Sequence, residues 1–346
     1  MKIKRDRIIS KIKKLNRPYL IAEIGINHNG DIKLAKKMIL SAKKNGADCV
    51  KFQLFSADDY ISKYAVKAKY QKTKNTLKIS QNEIIKKTQL NIKQVEDLEK
   101  FAINNDVDFL CTPFELKSFK ALINLGVKSI KISSCNLNNE IFLKEVAKTD
   151  VEVLISTGMG NLNEVKKAVK ILKNNLLIFQ CTSNYPSLIE NSNLNVIKEY
   201  KKLFGVPIGF SDHTVGNISA IVSVALGAQA IEKHFTISKK LPGIDQMASV
   251  EPHELKQLSI DILNASKSLG DSVKRLSLEE KNTLVALRRS LVASRDLKKG
   301  EVFTRQMIAI KRPGNGIPVT HIKKILGKSI NKNLKQDQLI KFKDLV

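Results

Sequence analysis

The chain has 346 residues, 42% of them hydrophobic and 27% charged, which is the balance of a folded globular protein and excludes a disordered one. No stretch approaches the roughly 18 consecutive apolar residues that a membrane helix needs. The basic first 18 residues lack the apolar core of a signal peptide. We therefore expect a cytoplasmic protein with no membrane partner.

The net charge of +27 is the feature that first suggests a nucleic-acid partner. Its make-up argues against one, because only nine of the 60 basic residues are Arg and none lies between Arg17 and Arg275. Arg makes most bidentate contacts to bases and phosphates, and aromatic residues for base stacking are scarce, at 5% with no Trp. We predict that the Lys residues cover solvated helix faces and that the chain binds no nucleic acid.

The four cysteines, Cys49, Cys111, Cys135 and Cys181, show no spacing typical of a zinc site. Three of them lie in apolar, strand-like stretches. This pattern favours the reduced, buried cysteines of a cytosolic protein over disulfides.

Residues 1–18 are predicted to form an N-terminal extension, after which short β-rich runs alternate with helical stretches. The clearest helix is predicted at Asp31–Asn45, where Asp31 can cap the first turn and Gly46 suits the residue after the last. Eight such alternations within about 250 residues predict an α/β fold, a (β/α)₈ TIM barrel over residues 19–270. A doubly wound open sheet is the alternative, which the absence of a GxGxxG motif weakens. The predicted strands are Tyr19–Gly25, Cys49–Leu54, Val107–Thr112, Ser129–Ser133, Val151–Ser156, Leu176–Cys181, Val206–Ser211 and Ala230–Phe235.

Two regions depart from the alternation. Ser56–Leu90 is longer than an ordinary connection, and we predict that it forms a lid over the barrel mouth with one helix of its own. Residues 271–283 are polar and predict a linker, after which residues 284–346 hold several Gly and Pro and five of the nine Arg. Because about 60 residues make only a small core, we expect this C-terminal domain to pack on a barrel, its own or a partner's.

Two histidines lie where the working residues of such a barrel gather, at the C-terminal ends of strands. His213 follows the seventh predicted strand, and His234 lies at the end of the eighth. Neighbouring strands are about 5 Å apart, so both imidazoles can reach one ion. Two imidazoles with oxygen ligands suit Mn²⁺, Zn²⁺, Fe²⁺ or Co²⁺ with positions open for substrate. The alternative is two unrelated histidines, one of them satisfied in the core.

Lys51 and Lys131 each interrupt an apolar strand. A buried ammonium group must meet an anion or lose its charge. One interpretation is a phosphate site that includes Ser134, Ser156 and the helix start near Gly158. A second is a Schiff-base lysine, as in an aldolase, and a third is a side chain that reaches water at a strand edge.

Two further charged residues are candidates for the site. Glu23, at the end of the first strand, would hydrogen-bond a polyol, act as a base or pair with a nearby Lys. The predicted barrel contains no Arg, so a guanidinium group that binds phosphate or carboxylate would come from the tail. Arg312 is the best placed, because it lies in a loop rich in Pro and Gly, although such a loop is also typical of a solvated turn.

Seven segments of the chain resemble the sialic acid synthase family, that is, N-acetylneuraminate synthase and its relatives. They occur in the order of that family from near Arg17 to the C-terminus, and several together are highly specific. The segments are AEIGINHNG at 22–30, VKFQ at 50–53, STGM at 156–159, CTSNYP at 181–186, FSDHT at 210–214, EKHFT at 232–236 and KRPG at 311–314.

The resemblance implies a TIM barrel followed by a small β-rich antifreeze-like (SAF, β-clip) domain. It implies a homodimer in which the swapped C-terminal domain completes the partner's active site. The implied reaction condenses phosphoenolpyruvate with an N-acylated mannosamine-type sugar and releases phosphate. The implied cofactor is a divalent metal, Mn²⁺ first, with Mg²⁺ or Co²⁺ as alternatives.

The resemblance also assigns residues by motif position. Those expected to be catalytic are Glu23, Lys51, Lys131, His213 and His234, and the two histidines would bind the metal. The residues around phosphoenolpyruvate would be Lys51, Lys131, Ser134, Ser156, Ser183, Ser211 and His234. Those that face the sugar would be Glu23, Gln53, Thr112, Phe114, Tyr185, Asp245 and the partner's Arg312.

Three places depart from the commoner family pattern, and two of them concern the sugar. Ser183 replaces Asn, Cys135 and Asn136 replace a small residue and Glu, and Ile244 replaces Pro. The sugar therefore stays open between N-acetylmannosamine and the 2,4-diacetamido-2,4,6-trideoxyhexose used by legionaminate synthases, with pseudaminate synthesis less favoured. A Schiff-base aldolase and an RNA-binding protein are the alternatives outside the family.

Overall fold

The structure is a computed structural model that describes residues 5–68, 71, 80–173 and 175–346. The chain divides into two compact units, Met1–Gly270 and Asp271–Val346. Each unit has a hydrophobic core of its own.

Eight parallel strands form the centre of the first unit: β1 (Tyr19–Gly25), β2 (Cys49–Leu54), β3 (Asp108–Pro113), β4 (Ser129–Ile132), β5 (Glu152–Ser156), β6 (Leu176–Cys181), β7 (Ile208–Asp212) and β8 (Ala230–His234). Hydrogen-bonded ladders join them in the order β3-β2-β1-β8-β7-β6-β5-β4, and the two end strands, β3 and β4, contact each other. The predicted TIM barrel is confirmed. Every predicted strand is present, with its ends within two residues of the prediction.

The helices of the first unit are α1 (Ile8–Ile12), α2 (Ile32–Lys44), α3 (Ala57–Tyr60), α4 (Gln81–Thr88), α5 (Ile92–Asn104), α6 (Leu116–Leu125), α7 (Glu140–Val146), α8 (Leu162–Leu172), α9 (Val196–Phe204), α10 (Ile218–Ala225) and α11 (Pro252–Leu269). The helix predicted at Asp31–Asn45 is α2. The side chain of Asp31 caps it by accepting hydrogen bonds from the amides of Lys33 and Leu34, and Met38 and Ile39 bury its apolar face.

Side chains along the strands alternate between the barrel interior and the helix layer. In β1, Leu20, Ala22 and Ile24 pack with the helices, whereas Tyr19 and Ile21 belong to a separate interior cluster. This interior cluster fills the N-terminal half of the barrel with apolar side chains, among them Cys49, Leu110, Leu154, Leu177, Phe179 and Ala230. The polar inward positions therefore lie in the C-terminal half.

The N-terminal segment closes the apolar half of the barrel. Ile8, Ile9 and Ile12 of α1 are buried in the interior cluster. The buried carboxylate of Glu152 accepts hydrogen bonds from the Ile9 amide (2.7 Å) and from the Ser129 hydroxyl (2.9 Å). The extension is thus part of the barrel core.

Replacing Glu152 by Ala removes the acceptor that α1 and Ser129 share. We expect the free energy of unfolding to fall by about 1–3 kcal/mol, the cost of leaving buried donors unpaired. Urea unfolding measures the change, and Glu140→Ala, at an exposed position on α7, serves as the control with an expected change within about 0.5 kcal/mol. Equal effects of the two substitutions would contradict the role given to Glu152.

The predicted lid, Ser56–Leu90, contains two short helices in its described part, α3 and α4, where one was predicted. Residues 69–70 and 72–79 of this stretch lie outside the described residues. An apolar cluster joins the lid to loops that follow the strands: Ile26, Phe55, Ala57, Ile84, Ile85 and Ile244, with Tyr60, Ile61 and Phe114 packed against them. The described part of the lid is therefore held at the C-terminal end of the barrel by apolar contacts.

The second unit contains α12 (Leu278–Leu287) and an antiparallel pair of strands, β9 (Ser290–Ala293) and β10 (Ile308–Lys311). Leu291, Phe303 and Ile325 contribute to its core. The helix α12 begins inside the stretch predicted as a linker. Across both units, no helix in the described part of the chain has the length and apolar character needed to cross a membrane.

Candidate active site

The C-terminal ends of the barrel strands surround a cavity of about 290 Å³. Fourteen of the fifteen predicted site residues line it: Glu23, Lys51, Gln53, Thr112, Phe114, Lys131, Ser134, Ser156, Ser183, Tyr185, Ser211, His213, His234 and Asp245. The fifteenth, Arg312, is an exposed residue of the second unit that directly follows β10.

The strand register brings these side chains to one level. β1 pairs with β2 on one side and with β8 on the other, which places Glu23 beside Lys51 and beside His234. In the next ladder Ser211 of β7 is paired with Glu232 of β8. All five continue the inward-facing series of their strands, so they converge on the cavity.

One carboxylate, that of Glu232, binds both buried lysines. Lys131 Nζ donates to its two oxygens, each at 3.0 Å, and Lys51 Nζ lies 3.7 Å from Oε1. The Ser211 hydroxyl donates to the same oxygen at 3.1 Å. Lys51 is also paired with Glu23, at 2.8 Å. The cavity floor is thus a closed network of two ammonium and two carboxylate groups.

The network sets the protonation of its members. Burial acts to raise the pKa of Glu232, but Lys131 and Lys51 outweigh it and lower the pKa to about 2. Burial also acts to lower the pKa of Lys51, and here Glu23 and Glu232 prevail, so its net pKa is raised. The pKa of Lys131 is lowered, mainly by burial and partly by Lys51. Glu232 is therefore ionised and Lys51 protonated at neutral pH.

Serine hydroxyls form a second polar group beside the lysines. The Ser134 hydroxyl accepts a hydrogen bond from the Gly158 amide at 3.0 Å. A Cβ atom on Gly158 would lie only 2.2 Å from the Ser183 hydroxyl, so a glycine is needed for this close approach. The buried Ser156 hydroxyl has no hydrogen-bond partner within the described ranges. An oxyanion would satisfy that hydroxyl.

The two histidines lie side by side, with ring centroids 5.5 Å apart. His213 Nδ1 donates to the carbonyl oxygen of Thr182 at 2.7 Å, which leaves Nε2 of the neutral ring with a free lone pair. Nδ1 of His234 is buried and has no partner among residues that the structure describes. Tyr185 packs against both rings, at centroid distances of 4.1 and 5.3 Å.

The environments of the two rings differ. Burial and then the neighbouring His213 hold the pKa of His234 well below its usual value. Burial also acts to lower the pKa of His213, but Cys181 and the Thr182 carbonyl outweigh it, and the net pKa is raised. His234 is therefore neutral near pH 7, the form that binds a metal.

Two carboxyl groups of the site have raised pKa values. Burial, together with the nearby Glu23, raises the pKa of Asp245 to about 7. Burial also raises the pKa of Glu23, and Lys51 opposes this only in part. Both groups therefore keep a proton at a higher pH than an exposed carboxyl group does.

The raised pKa of Asp245 makes stability depend on pH. Its folded-state value of about 7 exceeds its ordinary value of 3.8, so its contribution is complete below pH 4 and is lost as the pH rises through 7. Asn cannot ionise, and we expect Asp245→Asn to raise the free energy of unfolding by about 1–3 kcal/mol more at pH 8 than at pH 5. Thermal unfolding at both pH values tests this, with the exposed Asp97→Asn as control. A pH-independent effect of Asp245→Asn would contradict the assignment.

Comparison with known proteins places the chain in a family. Residues 38–274 match the model of the NeuB family, and residues 288–346 match the SAF domain. The chain belongs to the NeuB family. The resemblance stated from the sequence motifs is thereby confirmed, as is the SAF domain after the barrel.

Relatives of this NeuB-family chain cover nearly its whole length. The N,N'-diacetyllegionaminic acid synthase of Campylobacter jejuni is 41% identical over 94% of this chain and 100% of that protein. Human N-acetylneuraminate-9-phosphate synthase is 33% identical over 93% of this chain and 91% of that protein. Among solved structures, the N-acetylneuraminic acid (sialic acid) synthetase of Leptospira borgpetersenii matches with a TM-score of 0.69 and 30% identity, over 78% of this chain and 91% of that one. This NeuB-family chain is an enzyme, a transferase that forms carbon–carbon bonds.

The histidine pair of this NeuB-family barrel fits a metal ion that takes its remaining ligands from water or substrate. In the described ranges, no group of three or more His, Cys, Asp and Glu side chains is arranged to hold a metal. The unpartnered Nδ1 of His234 and the Nε2 of His213, which is free when that ring is neutral, nevertheless offer two imidazole ligands in one place. Water and substrate oxygens would fill the remaining positions.

Sequence reasoning missed two parts of the site. Glu232 was quoted only as part of a motif, yet it is the counter-ion of both lysines. The sequence does indicate this position, because Glu232 lies two residues before His234 in the same strand and therefore faces the same, inward side. The apolar side chains of the lid, such as Tyr60 and Ile85, also line the cavity without any spacing that indicates it. The burial predicted for the cysteines is wrong for Cys135, which is exposed, whereas all four are free thiols.

Proposed function

We propose that this chain condenses phosphoenolpyruvate with an N-acylated mannosamine-type sugar and releases inorganic phosphate. The observation that carries the proposal is the pair of buried lysines that share one carboxylate beside two imidazoles. The names of the three relatives reported above, which make legionaminic, neuraminic or sialic acids, support the same reaction.

Lys51 and Lys131 would bind the phosphate and carboxylate of phosphoenolpyruvate. They are the only Lys or Arg residues among the described residues that line the cavity. Their ammonium groups both lie against the Glu232 carboxylate, so the two positive charges are preorganised. An anion that enters the cavity would bind both without a rearrangement of the site. The hydroxyls of Ser134, Ser156, Ser183 and Ser211 would complete the anion site.

His213 and His234 would hold a divalent cation, for which we propose Mn²⁺, with Mg²⁺ or Co²⁺ as alternatives. Such a cation, when bound, polarises a carbonyl oxygen as a Lewis acid. The hydrogen bond from His213 Nδ1 to Thr182 supports this role, because it orients the ring and leaves Nε2 as the ligand atom.

The proposed reaction forms a carbon–carbon bond between the substrates and a carbon–oxygen bond to water, and it breaks the carbon–oxygen bond to phosphate. C3 of phosphoenolpyruvate attacks the aldehyde carbon of the open-chain sugar, water adds at C2, and the tetrahedral intermediate expels phosphate. Lys51 and Lys131 would fix the phosphate so that C3 faces the aldehyde. Asp245, whose pKa is raised to about 7, would hold a proton beside the oxygen that becomes a hydroxyl, and Glu23, paired with Lys51, would orient the sugar hydroxyls.

For the sugar we propose the 2,4-diacetamido-2,4,6-trideoxyhexose ahead of N-acetylmannosamine. The outer cavity wall includes the apolar side chains of Ile26, Phe55, Tyr60, Ile61, Ile85, Phe114 and Ile244, beside the polar Gln71 and Gln81. A 6-methyl group gains from such a wall, whereas a 6-hydroxyl group would lose hydrogen bonds to water there. The side-chain amide of Asn136 donates to the Phe114 carbonyl and supplies no carboxylate for a sugar hydroxyl. The name of the Campylobacter relative agrees with this choice.

Phosphate release from phosphoenolpyruvate, measured with each sugar in turn, tests the proposal. We expect release with both sugars, and kcat/KM at least about 10-fold higher for the trideoxy sugar, because an apolar pocket rewards a methyl group. We expect EDTA to abolish the release and Mn²⁺ to restore it. No release with either sugar would refute the proposed reaction, and a preference for N-acetylmannosamine would refute the choice of sugar.

A pair of histidine variants provides the matched control. At saturating Mn²⁺, His213→Ala should lower kcat by about 100-fold or more, while His253→Ala, at an exposed position, should leave it unchanged. Near-normal turnover of His213→Ala would remove the metal assignment. Borohydride with a carbonyl substrate should trap no adduct, because Lys51 is paired with Glu23 and Lys131 donates to both oxygens of Glu232, so neither amine is free to attack. A trapped adduct would favour the aldolase.

We also propose that the active enzyme is a homodimer in which the partner's Arg312 faces the sugar. The described residues that line the cavity include no Arg, although a guanidinium group suits a ligand rich in carboxylate and phosphate. The motif Lys311–Gly314 that carries this residue supports the assignment.

Complementation between inactive subunits tests this arrangement. Arg312→Ala and His213→Ala proteins, each with low activity alone, should regain part of the wild-type rate when mixed under conditions of subunit exchange. One site of each heterodimer then has both residues intact. Absence of recovery, with exchange verified by differently tagged subunits, would contradict the swapped arrangement.

A further inference from the structure

A buried ion pair lies directly behind the histidine pair, on the outward face of the same two strands. Lys233 of β8 and Asp212 of β7 are partners in the strand ladder. Their side chains are 1% and 0% exposed. Each is one residue from a histidine, and the alternation of strands turns them away from the cavity. Lys233 and Asp212 therefore cannot contact a substrate. Any functional role must come from the residues to which they are hydrogen-bonded.

The Lys233 ammonium group is fully used within the protein. Nζ donates to Asp212 Oδ2 at 2.6 Å and to the carbonyl oxygens of Thr214 and Gly216, both at 2.8 Å. Asp212 Oδ1 accepts from the amide and from the hydroxyl of Thr214, at 2.9 and 2.8 Å. Three N–H groups thus meet three acceptors, and the segment from 212 to 216 is folded around one side chain of the neighbouring strand.

The segment bound in this way carries His213. β7 ends at Asp212, so the backbone of His213 lies beyond the ladder between β7 and β8. His234, in contrast, belongs to β8, where its carbonyl accepts from the Val250 amide. Lys233 therefore links the loop that carries His213 to the strand that carries His234.

We propose that Lys233 and Asp212 are positioning residues that hold His213 at the distance from His234 at which both rings bind one divalent cation. This inference rests on the proposed function, because it concerns the metal named there. A role in stability alone would not call for a charged pair, since apolar residues of similar volume stabilise a buried site as well or better. The charged pair instead gives the directional contacts that an apolar pair lacks.

The test measures Mn²⁺ affinity without turnover. Full-length protein, freed of metal with a chelator, is titrated with Mn²⁺, and the electron paramagnetic resonance signal of free Mn²⁺ reports binding. Thermal unfolding of each variant is recorded alongside. Lys233→Met leaves the Asp212 carboxylate buried and unpaired, so it will lower stability strongly. The informative variant is therefore the double substitution Lys233→Met/Asp212→Asn, which removes both charges and keeps an acceptor for Thr214.

We expect the double variant to unfold at a higher temperature than Lys233→Met and to bind Mn²⁺ about 10- to 100-fold more weakly than the wild type, the usual effect of losing a group that orients a metal ligand. The control is Arg5→Met, which breaks the partly buried pair with Glu99; neither residue lines the cavity. It should lower stability and leave Mn²⁺ affinity unchanged.

Each outcome decides a different point. Wild-type affinity in the double variant would overturn the positioning role and leave the proposed metal site intact. Weaker binding in Arg5→Met to the same extent would also overturn it, because affinity would then follow stability alone. Absence of Mn²⁺ binding by the wild type would overturn both the metal assignment and this inference.

Discussion

Two ammonium groups are buried in the middle of this barrel, and the carboxylate of Glu232 makes their burial possible. The cost of removing an ion from water is several kcal/mol, and Lys51 and Lys131 would also repel each other. Glu232 contacts both, and Glu23 supplies the second negative charge. The two carboxyl groups pair with the two lysines, and this pairing offsets the cost of burying them in the barrel interior.

This ionic layer divides the barrel into two halves with different tasks. The N-terminal half is apolar and is closed by α1, which gives it the character of an ordinary core. The C-terminal half holds the lysines, serines and histidines that line the cavity. The division agrees with a general property of such barrels, in which one end serves stability and the other chemistry.

The fold and the lysines and histidines of the site were predictable from local patterns, whereas residues such as Gln53, Tyr185 and Asp245 were predicted only from the family resemblance. Apolar runs of strand length mark the eight strands, and polar residues at their ends mark the cavity. What sequence reasoning could not supply was the identity of partners across the barrel. The contact between Lys131 of β4 and Glu232 of β8 joins strands that are not neighbours in the sheet, so no spacing along the chain encodes it. The lid is similar, because Tyr60 and Ile85 meet the cavity through tertiary packing alone.

The consecutive polar residues Glu232, Lys233 and His234 show how one buried strand contributes side chains to two layers. A strand sends alternate side chains to opposite faces, so Glu232 and His234 enter the cavity while Lys233 enters the helix layer. Each buried group then finds its partners on a different element: Glu232 on β4 and β7, and Lys233 on β7 and the loop after it. β7 supplies Asp212 to the outward ion pair with Lys233, and the loop after its end carries His213 into the cavity. A change in the ion pair would therefore shift the inward-facing imidazole. The geometry of the histidine pair therefore depends on residues that no ligand touches.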